Sequence, residues 1–402
     1  MDMTIIPGPL SGTIAAMASK SQAHRLLILA ALGDRPVTLF CPEISRDMEA
    51  TARCLNALGA EITTNTQGFS VNPMKNRPET ALLDCGESGS TLRFLLPLAG
   101  ALEVDATFQM AGRLPQRPLS PLWEELERGG CRLSRPTADT IRCQGRLMPG
   151  TYRLRGDVSS QFVTGLLLAF LALDCPCRLE LTTPLESKPY VDMTLGAMER
   201  FGAQVRAGEN RFTVTPGPLA APTALRVEGD WSNAAFWLGA KALGAQLTVT
   251  GLDPNSPQGD RAVAELLPRL GKGCAIDCRD IPDLVPILAA VAAAKEGRTQ
   301  FTGAGRLRLK ESDRITTVCN LVNALGGRAV EAPDGLTVEG GSLGGGTVDA
   351  AGDHRIAMAA AIAATVCREP VTILGADCVT KSYPHFWADY RKLGGNYEQH
   401  LR

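Results

Sequence analysis

Ile315-Thr-Thr-Val318-Cys-Asn-Leu-Val322-Asn-Ala-Leu325-Gly326 decides the fold, because its pattern recurs along the chain. Apolar residues at 315, 318, 322 and 325 stand at i, i+3, i+7 and i+10, which lays one stripe along a helix. Gly326 then supplies the left-handed residue that closes a helix. The same ending reads Leu55-Asn-Ala-Leu-Gly59, Leu126-Glu-Arg-Gly-Gly130, Met198-Glu-Arg-Phe-Gly202, Leu267-Pro-Arg-Leu-Gly271 and Tyr390-Arg-Lys-Leu-Gly394. The six glycines are 71, 72, 69, 55 and 68 residues apart. Repetition at a near-constant period marks a fold that uses one unit several times.

A short strand pattern precedes each of these helices: Val37–Phe40, Ala106–Phe108, Leu179–Leu181, Leu247–Thr250, Thr299–Thr302 and Val371–Leu374. Strand-like segments also follow the glycine, as in Arg211–Thr215 and Gly335–Val338. Between these elements lies a second helix per unit, expected at Ser21–Leu32, Ser90–Leu98, Ser160–Leu173, Ser232–Leu243, Asp283–Ala294 and His354–Val366. The expected fold class is therefore α/β, with a sixfold repeat. One unit holds about a sixth of the chain, and two clusters of three give two domains of ordinary size.

Composition narrows the function. The 402 residues carry 41 Lys+Arg against 42 Asp+Glu, a formal net charge of −1, which disfavours a general nucleic-acid binder. The longest apolar stretches, Phe162–Leu173 and Leu284–Ala294, fall short of the ~20 residues that span a bilayer. Met1-Asp2-Met3-Thr4 lacks the basic and apolar regions of a signal peptide, so a cytoplasmic protein is expected. Twelve cysteines are scattered without a Cys-x-x-Cys, and only four histidines occur, which argues for reduced buried thiols over a zinc site.

Two sets of polar residues stand out. Lys20-Ser21, Gly89-Ser90, Ser159-Ser160-Gln161, Asp230-Trp-Ser232, Asp283 and Asp353-His354-Arg355 all open the second helices. Singly, Ser and Asp there read as ordinary N-caps. Several also carry Lys, Arg or a second Ser, which a cap does not need, and a helix N-terminus attracts anions. The second set lies between repeat strand and repeat helix: Arg113–Pro118, Glu186-Ser187-Lys188, Arg306–Arg314 and Thr380-Lys381-Ser382. Cations and hydroxyls at equivalent points of a repeat suit a small polyanion. Neither a P-loop nor a dinucleotide fingerprint is present, and Gly340–Gly346 reads as a turn. An enzyme acting on a compact phosphorylated or carboxylated metabolite is expected.

At this level of detail the chain resembles the EPSP synthase branch of the enolpyruvyl transferase family, along nearly its whole length. The resemblance rests on Ser19-Lys-Ser-Gln-Ala-His-Arg25, Gly86-Glu-Ser-Gly-Ser-Thr-Leu-Arg93, Gln116-Arg-Pro118, Gly156-Asp-Val-Ser-Ser-Gln-Phe162, Ser187-Lys-Pro-Tyr190, Glu228-Gly-Asp230, Ile281-Pro-Asp283, Lys310-Glu-Ser-Asp-Arg314, Asp353-His-Arg355 and Lys381. It implies two domains of three units each, at 18–228 and at 1–17 plus 229–402, with helix N-termini facing an interdomain cleft. It also implies enolpyruvyl transfer from phosphoenolpyruvate to the 5-hydroxyl of shikimate 3-phosphate with loss of phosphate, in the shikimate pathway to aromatic amino acids.

Residue by residue, the resemblance assigns the proton transfers to Lys20, Asp283 and Glu311, without saying which performs each step. It gives phosphoenolpyruvate to Lys20, Arg117, Arg314, Arg355 and Lys381, with the Gly89 backbone alongside. Shikimate 3-phosphate falls to Ser159, Ser160 and Ser187 at its phosphate, with Lys310 near and Lys20 also in reach. Ser21 and Arg25 meet its ring and carboxylate, Tyr190 lines the ring, and Asp283 accepts from the 5-hydroxyl. Gln161 touches both substrates. No metal or organic cofactor is implied, and a monomer acting on small molecules, away from nucleic acid and membrane, is expected. The chain departs from the family pattern at Met17-Ala18, where Pro-Gly is usual, at Glu87 and Arg306, where Asn is common, and at Phe94, where Pro is frequent. The related enzyme that loads UDP-N-acetylglucosamine uses a loop cysteine, and the loop Ala111–Arg117 has none. A non-catalytic sensor is the remaining alternative, supported only by Met17-Ala18.

Overall fold

The computed structural model describes residues 1–400. Twelve α-helices occur among them and are numbered along the chain. The odd-numbered ones are the second helices of each unit: α1 (Lys20–Ala31), α3 (Gly89–Ala101), α5 (Ser160–Phe170), α7 (Trp231–Ala242), α9 (Val285–Ala293) and α11 (His354–Ala364). The even-numbered ones end near the repeated glycine: α2 (Arg46–Ala57), α4 (Leu122–Arg128), α6 (Lys188–Arg200), α8 (Val263–Leu266), α10 (Arg314–Ala324) and α12 (Phe386–Lys392). All six repeat glycines have positive φ, between 72° and 107°, a region that side chains disfavour.

Each unit adds a sheet. Thr151–Leu154 runs parallel to Cys177–Leu181, which pairs antiparallel with Arg211–Thr215, itself antiparallel to Gln204–Ala207. Sheets centred on Val37–Phe40, Asp105–Met110, Gly297–Thr302 and Val371–Leu374 repeat that order. The sixth is reduced to Gln246–Thr250 parallel to Ser11–Ala15. After Gly271 the chain omits the hairpin and enters Cys274–Asp277, the parallel edge of the next sheet. The missing hairpin accounts for the short interval of 55 residues between Gly271 and Gly326.

The chain divides into two compact units, Ala18–Val227 and Met1–Met17 joined to the chain from Glu228 onward. Both close on themselves. Ala224–Arg226 supplies the edge of the first sheet in its unit, and Asp2–Ile6 sits inside the last sheet of the other. Each unit has its own apolar core, and the odd-numbered helices run through it. Every residue of α9 and α11 is buried. Burying a Leu or Ile side chain is worth roughly 1.5–3 kcal/mol, so these apolar helices anchor their units. Where α3 meets α5, Pro97 cannot donate to the Arg93 carbonyl one turn back, and Gly165 comes against that oxygen. A Cβ on Gly165 would lie 2.2 Å from it, so only glycine permits this approach.

Three expectations need correction. The helix before Gly271 is not continuous: a 3-10 turn at Gly259–Ala262 leads into α8, and a second at Leu267–Arg269 follows. Pro268 lies at the start of the latter, where its ring prevents α8 from continuing. The helix expected from Asp283 begins at Val285, and Asp283 stands in a 3-10 turn, Pro282–Leu284. Gly340–Gly346 is a connection between strands Gly335–Gly340 and Gly346–Asp349 rather than a turn. The cysteines are all free thiols and nine are buried, as expected for reduced thiols. No helix among the described residues is long and apolar enough to cross a membrane.

Candidate functional site

Five odd-numbered helices begin with a side-chain cap. Ser19, Ser88 and Ser159 cap α1, α3 and α5, while Asp230 and Asp353 cap α7 and α11. The caps therefore precede most of the singled-out residues, which occupy the first helical turn. There they sit beside backbone N–H groups that lack intrahelical acceptors. α9 has no side-chain cap, and Asp283 in the preceding turn is engaged elsewhere.

In Ala18–Val227, Lys20 opens α1 and pairs with Asp47 of α2 at 2.8 Å, both largely shielded from solvent. One turn on, Arg25 is 2% exposed. Its donors reach the Thr194 hydroxyl at 2.8 Å, the Ser21 carbonyl at 2.6 Å, the Tyr190 carbonyl at 2.8 Å and the Thr164 hydroxyl at 3.4 Å. The Phe94 ring lies 5.2 Å from its guanidinium. No described carboxylate pairs with Arg25. Burial lowers its pKa to about 10, and the guanidinium still stays charged at neutral pH. The charge is thus solvated by hydroxyls, carbonyls and a ring face instead of by a carboxylate.

Arg93 and Arg117 close over the start of α3. A Cβ on Gly89 would lie 2.5 Å from Arg93 Nη1 and 2.7 Å from Arg117 Nη1. Arg93 also donates to Gln161 Oε1 at 3.2 Å, and Gln161 Nε2 donates to the Ser90 hydroxyl at 2.9 Å. Gly89, Arg117 and Gln161 are thus brought together. Ser159 and Ser160 stand beside Gln161 at the start of α5. Ser187 precedes α6 with φ 55°, a left-handed conformation rare for serine, and its side chain makes no cap bond. Tyr190 follows in the first turn of α6 and meets Arg25 through its carbonyl.

In the other unit, all six singled-out residues join one ionic cluster. Asp283 lies 2.8 Å from Arg314, 3.1 Å from Arg355 and 3.6 Å from Lys310. Glu311 lies 2.7 Å from Arg314 and 3.9 Å from Lys381. Arg314 additionally pairs with Asp353 at 2.7 Å, where both side chains are at most 1% exposed. Glu311 precedes α10 instead of sharing a helix with Arg314, so their pairing spans a helix boundary. His354 is the first residue of α11 and is 1% exposed.

Burial opposes ionisation of Asp283, but Arg355, Lys310 and Arg314 overcome it and hold the carboxyl well below the usual carboxylate range. Burial likewise opposes the charge on Arg314, and Asp353, Glu311 and Asp283 outweigh it, so its pKa is raised. Asp260 goes the other way: burial first, then the Asp283 charge, push it up to about 7.

Three residues of these arrangements escaped the sequence reading of the site, Asp47, Arg93 and Asp260, while Asp353 was singled out only as a helix start. Arg93 and Asp353 stand within quoted motifs, so their position offered a signal. Asp47 and Asp260 offered none, because each reaches its partner through a contact distant in sequence.

The family model for EPSP synthase, 3-phosphoshikimate 1-carboxyvinyltransferase, matches residues 5–276 and 270–390. The 3-phosphoshikimate 1-carboxyvinyltransferase of Clostridium kluyveri is 39% identical over 421 residues, covering 99% of this chain and 98% of that protein. That of Clostridium acetobutylicum is 39% identical over 418 residues, covering 98% and 97%. Among solved structures, EPSP synthase from Acinetobacter baumannii superposes with a TM-score of 0.82 at 24% identity, over 99% of this chain and 100% of that one. The enolpyruvyl transferase NikO from Streptomyces tendae superposes with a TM-score of 0.77 at 20% identity, over 99% and 98%, and both likenesses speak for the fold alone. By its family match and its full-length relatives, this chain belongs to the EPSP synthase (3-phosphoshikimate 1-carboxyvinyltransferase) family.

Proposed function

We propose that this chain transfers the enolpyruvyl group of phosphoenolpyruvate to the 5-hydroxyl of shikimate 3-phosphate, giving 5-enolpyruvylshikimate 3-phosphate and phosphate. The observation that carries the reading is the cluster of Asp283, Lys310, Glu311, Arg314, Arg355 and Lys381. It combines carboxylates able to move protons with cations able to hold a phosphate and a carboxylate.

The chemistry sorts these groups. The 5-oxygen forms a bond to C2 of phosphoenolpyruvate, while a proton goes to its methylene carbon and makes a methyl group. Phosphate then leaves C2 and a methyl proton is removed, restoring the double bond. Asp283 is ionised and accepts from the 5-hydroxyl. Lys20 and Glu311 share the remaining transfers. Lys20, Arg117, Arg314, Arg355 and Lys381 hold phosphoenolpyruvate beside Gly89. Ser159, Ser160, Ser187 and Lys310 hold the phosphate of the acceptor, Ser21 and Arg25 its ring and carboxylate, and Tyr190 lines the ring. Gln161 serves both substrates. The counter-ion missing from Arg25 supports its assignment to an anionic group.

A phosphate-release assay with phosphoenolpyruvate tests the reading. Release is expected with shikimate 3-phosphate and not with UDP-N-acetylglucosamine. Release only with the nucleotide sugar would assign the chain to the related enzyme, and none with either acceptor would favour a ligand sensor.

A further inference from the structure

Position five of α1, α3 and α5 is polar and buried in each case: His24, Arg93 and Thr164 are at most 3% exposed. Partners matter for such groups, because an unmet buried donor or acceptor is expensive. His24 Nδ1 lies 2.7 Å from the Thr51 hydroxyl of α2. Thr51 Oγ1 lies 2.7 Å from Thr91 Oγ1 of α3, and Thr91 donates over 2.7 Å to the Ser88 hydroxyl, which caps α3. His24, Thr51, Thr91 and Ser88 are all fully buried.

The chain has one consistent direction. Thr91 spends its proton on Ser88, so Thr51 must donate to Thr91. Thr51 is then left accepting, and His24 Nδ1 carries the proton. Burial lowers the His24 pKa to about 3, so the ring is neutral throughout the working range. Its Nε2 has no hydrogen-bond partner among the described residues, which suits this tautomer's bare lone pair better than an N–H.

Helical spacing connects this chain to the site. His24 lies four residues after Lys20 on α1, and Thr51 lies four residues after Asp47 on α2. Residues at i and i+4 share a helix face. The His24–Thr51 bond therefore lies one turn beneath the Lys20–Asp47 pair and sets the spacing between the helix starts that carry it. We propose that Thr51 is a positioning residue: its hydroxyl, bonded to His24 on one side and Thr91 on the other, fixes the starts of α1, α2 and α3 so that Lys20 is presented beside Asp47. This rests on the assignment of Lys20 to substrate above.

The test is steady-state phosphate release by the full chain. Thr51→Val keeps the shape and removes the hydroxyl, and is expected to lower kcat/KM for phosphoenolpyruvate about tenfold through displacement of Lys20. Thr51→Ser restores it to within about twofold, because the hydroxyl returns without the methyl. In an Asp47→Asn background, where the pair is already broken, Thr51→Val costs less than about twofold. Equal losses in both backgrounds, a Ser variant as impaired as Val, or no loss at all would overturn the proposal. If Thr51→Val does not fold, Thr91→Val removes the next hydroxyl and is read the same way. A wild-type chain inactive with both substrates defeats the functional reading instead, so the two failures are distinguishable.

Discussion

Arg314 and Arg25 are both buried cations with opposite surroundings. Among the described residues, Arg314 already faces three carboxylates, whereas Arg25 faces none. The first is compensated by carboxylates within the protein, and the second is held by hydroxyls and carbonyls. Breaking a buried pair from one side strands the other charge. Asp353→Ala is therefore expected to destabilise the chain by about 3 kcal/mol, read as a shift in denaturant midpoint. An unchanged midpoint would mean that Arg314 relaxes onto Asp283 and Glu311 at no cost. At the reaction itself, Asp283→Ala and Glu311→Ala should each reduce turnover at least ~100-fold in the phosphate-release assay. Near-normal turnover in both would remove them from the proton transfers. Motif residues such as Lys310, Glu311 and Arg314 were legible in the sequence because they lie together. Asp47 and Asp260 were not, because only packing sets their neighbours.

At the scale of elements, the repeat was legible because helix periodicity and the closing glycine are local properties. The positive φ of all six glycines follows from one need, to reverse the chain after a helix. Their replacement costs differ with what surrounds them. A Cβ on Gly59 would meet the Asn76 carbonyl oxygen at 2.2 Å, whereas on Gly394 the nearest atom would be 3.9 Å away. Gly394→Ala should thus cost about 1–2 kcal/mol from backbone strain alone. Gly59→Ala should cost clearly more, since backbone must shift as well. Equal unfolding midpoints for the two variants would contradict this. The break after α8 carried a local signal that the repeat reading passed over: Leu267-Pro-Arg-Leu keeps the apolar spacing of a helix end, but its proline interrupts the hydrogen bonds.

At the scale of the whole molecule, the two oppositely shifted carboxyls give stability a pH dependence. Asp260 binds its proton more tightly folded than unfolded, so its contribution is full below about pH 4 and is lost as pH rises through about 7. Asp283 is shifted down, so its contribution is present above the ordinary carboxylate pKa and is lost as pH falls. Asp260→Asn removes the first effect. Its melting temperature should gain on wild type by at least about 3 °C between pH 5 and pH 8. A constant difference across that range would show that Asp260 does not titrate there.

Sequence alone determined the unit, its sixfold recurrence, the α/β class and the residues at the helix starts. All of these follow from apolar spacing, caps and glycines within a few residues of one another. Only the tertiary structure decided that the sixth sheet lacks its hairpin, that strands from one end of the chain complete sheets formed by the other, and which charges face which. Those outcomes depend on contacts between separate segments, from tens of residues apart for Asp283 with Arg314 to hundreds for Asp2–Ile6 with Val371–Leu374, and helix periodicity does not specify them. Thr51 shows the difference most clearly. Its place on a helix was readable from its neighbours, but its bonds to His24 and Thr91 arise only when three helices pack together.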